Sequence, residues 1–181
     1  EKGRSGFAHL FEHMMFQGSE NIAKSEHFKL VSNAGGSTNA STHHDFTNYY
    51  ERVPSNEVKL ALWMEADRMR SLKITEENFQ NQLETVKEEK RLRVDNQPYG
   101  LAAIRVDEVT FDNWTNAHAV IGSFEDLEAS SIEDVRKFFK TYYAPNNAVL
   151  AIVGDIDPAE VHKSVEEYFS NIPRQPDPPK R

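Results

Sequence analysis

The sequence predicts an α+β fold, and three observations carry that prediction. Apolar residues recur three and four apart over most of the 181 residues, which is the periodicity of amphipathic helices. Two neighbouring stretches, 37–43 and 45–53, are rich in Thr, Tyr and Val and lack that spacing, so they predict two strands of an antiparallel pair. A third stretch, 147–153, is nearly continuous apolar sequence, the mark of a strand covered on both faces. The expected architecture is a mostly antiparallel sheet packed against helices.

The elements follow in order with recognisable punctuation. A first helix carries His-Leu-Phe-Glu-His at 9–13, and Ala8, Leu10, Phe11, Met14, Met15 and Phe16 make it apolar nearly all round, so it should be buried. A second, over 25–33, stops at Ala34, Gly35 and Gly36. After the two strands, Pro54 and Ser55 open a helix over 56–72, with Val58, Leu60, Leu62, Trp63, Ala66 and Met69 at helical spacing. A long helix from 75 or 76 to 93 turns Phe79, Leu83, Val86 and Leu92 inward, and Asn-Gln-Pro-Tyr-Gly at 96–100 breaks it. Further helices are predicted over 101–109, 131–142 and 159–169, with an irregular stretch at 111–123. The tail from Ile172 is Pro-rich and reads as a linker. No internal repeat is visible.

Composition excludes several classes. Only 38% of residues are hydrophobic and mean hydropathy is −0.68, yet charge is spread along helical patterns, so a folded domain with wet helices is expected. A net charge of −8 disfavours nucleic acid and anionic membrane surfaces, which require concentrated Lys and Arg. No apolar run reaches the length of about 18 residues that spans a membrane. The absence of cysteine excludes disulfides and thiolate metal ligands. A start at Glu1, with the motif helix close behind, reads as a piece of a longer precursor.

His9, Glu12 and His13 are the most informative residues. Positions four apart on a helix lie one above the other, so the two imidazoles can reach one metal ion. Glu12 points toward the same face, where its carboxylate can take a proton from an activated water instead of binding the ion. H-x-x-E-H inverts the order of the zinc-peptidase helix H-E-x-x-H. Two histidines on one helix are often only polar surface groups, but titratable groups in a buried helix are costly unless paired or bound to metal. A metal is the cheapest explanation.

A catalytic zinc usually has three protein ligands and a water. The helix over 75–93 offers Glu84, Glu88 and Glu89. With Leu83 and Val86 inward, Glu89 is slightly better placed than Glu88, but periodicity alone leaves the choice open, and Glu-rich runs are usually solvated faces. His43 and His44 are adjacent in a strand, so they point to opposite faces and cannot share an ion. His27 and His162 fall among charged neighbours in predicted helices and read as surface residues. His118 reads as a loop residue.

With Gly-Gly-Ser-Thr-Asn-Ala-Ser-Thr ending at Thr42 behind it, the H-L-F-E-H segment resembles the pitrilysin family of zinc peptidases, which includes insulysin and the mitochondrial processing peptidase. Segments 45–49, 60–69, 86–91, 95–100 and 143–148, the last leading to Val153-Gly-Asp155, extend the resemblance over essentially the whole chain.

That resemblance implies His9, His13 and Glu89 as ligands of one Zn2+ and Glu12 as general base. Where relatives often carry a second supporting acid, this chain has Gln82, and Glu84 is the nearby alternative. Asn39 and Ala40 match the strand edge that holds the substrate peptide, through backbone hydrogen bonds and therefore with loose sequence specificity. The implied activity is zinc-dependent hydrolysis of extended or unfolded peptides. The implied fold is a processing-peptidase-like half-domain, a two-layer sandwich over 1–171 lacking its first strands, with 172–181 leading to an absent second half-domain or partner subunit. In relatives that half contributes an Arg and Tyr pair near the zinc, so this chain alone is expected to bind zinc but hydrolyse peptides poorly. A dimer is compatible with the family, and a bacterial member would be periplasmic or secreted, others mitochondrial or cytoplasmic. The alternative is a non-catalytic scaffold or peptide-binding subunit, but such members lose parts of H-x-x-E-H and this chain keeps all of it.

Overall fold

A computed structural model describes residues 2–179. Along them run α1 (Phe7–Met14), α2 (Glu26–Asn33), β1 (Ser37–Thr42), β2 (Thr47–Arg52), α3 (Val58–Ser71), α4 (Glu76–Lys90), α5 (Gly100–Thr110), α6 (Trp114–Ala117), α7 (Phe124–Glu128), α8 (Ile132–Tyr142) and α9 (Pro158–Phe169). β1 and β2 pair as an antiparallel hairpin, closed where His43 N donates to Phe46 O at 2.8 Å. The α+β class is the one predicted.

Three expectations change. The stretch 147–153 forms no strand: Pro145–Asn147 is a 3-10 turn, and Val149 and Val153 beyond it are 97% and 96% exposed. An extended segment becomes a strand only beside another, and among the described residues nothing pairs with it. The long helix ends early, because α4 gives way at Arg91–Asp95 to a wide π-helical turn, which shifts the register and leaves Leu92 exposed. The stretch 111–123 contains α6, and α7 follows it, capped by Ser123, whose hydroxyl accepts from Asp126 N at 3.1 Å.

The chain divides into two compact units. In the first, residues 2–14, 40–49 and 74–132, α1 buries Phe7, Leu10, Phe11 and Met14 along one face. His9, Glu12 and His13 repeat the same spacing and fall on the opposite face, half-buried. α1 lies against α4, where Phe79, Gln82, Leu83, Val86 and Lys90 form the buried stripe. Each fully buried Leu, Phe or Met contributes about 1.5–3 kcal/mol, against about 0–1 kcal/mol for an exposed ion pair, so apolar packing, not surface charge, holds these helices together. The start of α1 is set by backbone. Gly6 and Gly122 have φ +77° and +82°, and a Cβ on either would come within 2.5 Å of the other segment's main chain, so only glycine fits at both. Asp126 reinforces the contact, its Oδ2 accepting from Ser5 N at 2.8 Å and Ser5 Oγ at 2.5 Å.

The second unit, residues 15–39, 50–73 and 133–179, has a core of Ile22, Val31 and Met64 with Leu30, Val53, Leu60 and Trp63 packed on it. α3 lies against α9. Asp67 of α3 is fully buried and accepts from Ser19 Oγ at 2.6 Å, Asn21 Nδ2 at 2.6 Å, Asn21 N at 3.2 Å and Arg70 at 3.2 Å. Burial alone would raise its carboxyl, but these donors outweigh it and hold Asp67 below its ordinary value. No helix among the described residues is long and apolar enough to cross a membrane.

Candidate metal centre

Within the first unit His9 and His13 of α1 converge with Glu89 of α4 to bring three donor groups together. His13 Nε2 lies 3.2 Å and His9 Nε2 3.7 Å from one oxygen, Glu89 Oε2, with the imidazole centroids 4.9 Å apart and edge to face. Ligands about 2.0–2.2 Å from a tetrahedral zinc are about 3.3–3.6 Å from one another, so both spacings are close to those of a zinc ligand set. Burial, and the neighbouring His13 in the same sense, push His9 down to about 4, so its ring is neutral at neutral pH, the form that binds metal. Its Nδ1 is buried and has no hydrogen-bond partner among the described residues, and Nε2 is the nitrogen that faces Glu89. The residues present thus fit a zinc ion.

Of the three carboxylates that periodicity left open, only Glu89 faces the imidazoles. Its Oε1 pairs with Arg93 at 2.8 Å, leaving Oε2 toward the rings. Glu84 and Glu88 are exposed and pair with Lys87 and Arg91. Gln82 is buried and donates to Asn81 at 2.8 Å, so neither Gln82 nor Glu84 hydrogen-bonds to the cluster. Glu12 stands outside the trio and accepts a hydrogen bond from Thr42 Oγ1 at 2.5 Å. Asn39 and Ala40 lie on β1, the first exposed and the second half-buried.

His27 corrects the sequence reading, since it is 3% exposed and not a surface residue. Its Nε2 lies 2.6 Å from Glu51 Oε1, and with Glu65 these form a second trio whose ligand atoms lie within 4.8 Å of one another. The charged neighbours Glu26 and Lys29 disguised it, and its partners come from distant segments. Here a cation is already present. Arg68, buried, donates through Nε to Glu65 at 2.8 Å, also pairs with it through Nη2, and sits 5.2 Å from the Phe16 ring centroid. Two carboxylates and one guanidinium leave a single negative charge, which one proton balances better than a dication.

This second trio makes stability depend on pH. Burial pushes His27 from 6.5 down to about 4, so as pH falls through that window the unfolded chain takes its proton first and stability is withdrawn, while none is lost above 6.5. Glu51 and Glu65, raised by burial from 4.5, act oppositely: the folded form keeps protons that the unfolded chain has released, and their contribution is lost as pH rises through their folded values. Comparison with His27→Gln separates the two. The stability advantage of the wild type over that variant should shrink by up to about 3 kcal/mol between pH 6.5 and 4, read from urea unfolding at each pH; a constant advantage would show that His27 titrates normally in the fold.

An inverted H-x-x-E-H helix facing a carboxylate from a second helix is the arrangement of a mononuclear metallohydrolase. The family model described as Insulinase (Peptidase family M16) matches residues 1–121, and that described as Peptidase M16 inactive domain matches 130–181. The chain belongs to the M16 family of zinc metallopeptidases. It is 32% identical over 170 residues to the zinc protease PqqE of Helicobacter pylori, covering 94% of this chain and 38% of that protein. It is 24% identical over 172 residues to a probable mitochondrial-processing peptidase subunit beta of Arabidopsis thaliana, covering 95% and 32%. The crystal structure of a protease from Helicobacter pylori superposes with a TM-score of 0.93 at 31% identity, over 98% of this chain and 42% of that one. The chain therefore spans less than half the length of these relatives. Zinc, the metal in whose name several of them are described, is the cofactor of the family.

Proposed function

We propose that this chain is the zinc-binding half of a metalloendopeptidase acting on extended or unfolded peptides. The observation that supports the reading most is the approach of His9 Nε2 and His13 Nε2 to one oxygen of Glu89, with Glu12 on the same helix face but outside the trio. Zinc held by His9, His13 and Glu89 would supply a Lewis acid and a water that ionises near neutral pH. Glu12 takes the proton of the attacking water and hands one to the leaving amine. Arg93 engages Oε1 of Glu89 and so keeps Oε2 turned to the imidazoles. A peptide laid along β1 at Asn39 and Ala40 is held by its backbone, and a second half-domain or partner subunit, carrying an Arg and a Tyr, closes over it. The full-length protein should contain about one zinc per chain and cut an unfolded peptide, as seen by mass spectrometry. A chelator should stop the cutting and added zinc restore it. Zinc content near zero, or peptide left intact, would overturn the reading.

A further inference from the structure

Resting on that peptidase reading, we propose that Thr42 is a positioning residue for Glu12, its hydroxyl holding the carboxylate in the orientation in which it accepts the proton of the attacking water. A general base has to lie within hydrogen-bond reach of the proton it removes. Glu has three rotatable bonds, and Glu12 sits half-buried on its face of α1, so a partner is needed to select one rotamer. Thr42 Oγ1 supplies the selection. It donates to Glu12 Oε2 at 2.5 Å, and it comes from an element remote in sequence, so the bond fixes the side chain against β1 and not merely against its own helix.

Three further features make this more than incidental contact. Among the described residues no other hydrogen bond ends on the Glu12 carboxylate, so Thr42 occupies Oε2 and leaves Oε1 to receive a proton. The hydroxyl is itself restrained, because Oγ1 lies 3.3 Å from Thr47 Oγ1 across the hairpin. Threonine is also stiff at χ1 in a strand, so the donor is aimed by the backbone. Both strands of the hairpin tip thereby contribute to the orientation of a base that neither of them carries.

The test uses the full-length protein. Thr42→Val keeps the shape and removes the hydroxyl; zinc content and KM should stay at wild-type values while kcat falls about tenfold to a hundredfold. Thr42→Ser restores the donor and should recover most of kcat, which a purely packing role would not predict. A second readout needs no catalysis: in the zinc-free protein, Thr42→Val should lower Tm when residue 12 is Glu and have no further effect in a Glu12→Ala background. A cleaving wild type whose Thr42→Val variant retains its kcat, a Thr42→Ser variant as slow as Thr42→Val, or additive Tm shifts would each overturn the assignment. A wild type that cuts nothing would sink the peptidase reading and this proposal with it.

Discussion

Replacing Glu12 by Gln in the full-length protein is expected to lower kcat by about 10²- to 10⁴-fold, the range general acid–base catalysis supplies, while about one zinc per chain stays bound. The substitution is nearly isosteric, and the glutamine carbonyl can still accept from Thr42, so packing and orientation survive. What disappears is the ability to carry a proton. Because Glu12 lies outside the trio of His9, His13 and Glu89, metal content should not change, in contrast to His13→Ala, which removes a ligand. Turnover of an unfolded peptide together with metal analysis checks both halves. Substantial residual turnover would mean that another group takes the proton, and loss of zinc would mean that Glu12 is itself a ligand.

The largest loss of stability is expected at Asp67. Asp67→Ala should cost about 3 kcal/mol, since hydrogen bonds to a charged group contribute about 1.5–3 kcal/mol each and buried donors left behind carry a desolvation cost. Ser19 is 1% exposed, so its hydroxyl cannot turn to water when the carboxylate goes, and Asn21 loses the acceptor for both its amide groups. Arg70 is a third exposed and can be solvated, so its share is small. Asp67→Asn keeps one acceptor oxygen and should cost less than half as much. Urea unfolding of the two variants measures the difference; equal losses would show that the negative charge, not the set of donors, is what matters.

The parts of the fold and site set by local sequence were legible, and the parts set by distant partners were not. His9, Glu12 and His13 could be placed together because helix geometry alone relates positions three and four apart. Glu89 was legible only in part: the buried stripe of Phe79, Leu83 and Val86 is as predicted, but which of Glu84, Glu88 and Glu89 faces α1 depends on how α1 lies on α4. His27 was misread for the same reason, since Glu51 and Glu65 reach it from later elements. The stretch 147–153 has strand composition but, among the described residues, no strand beside it, so composition misled. The helix at Phe124–Glu128 did carry a signal: Ser123 with Asp126 three residues on is a capping-box pattern, and reading it would have pointed to the aspartate that also grips Ser5.

Gly6 and Gly122 carry a last consequence. Where most helices are seated by side chains, which can be resized and repacked, α1 begins at an abutment of main chain on main chain. Substitutions that shrink or swell the layer beneath Phe11 can tilt the helix or loosen its far end, but they cannot slide it along its axis without moving two backbones at once. The imidazole pair thus takes its longitudinal position from a fixed pin, and gradual drift in the apolar layer can proceed without carrying His9 and His13 out of step with Glu89.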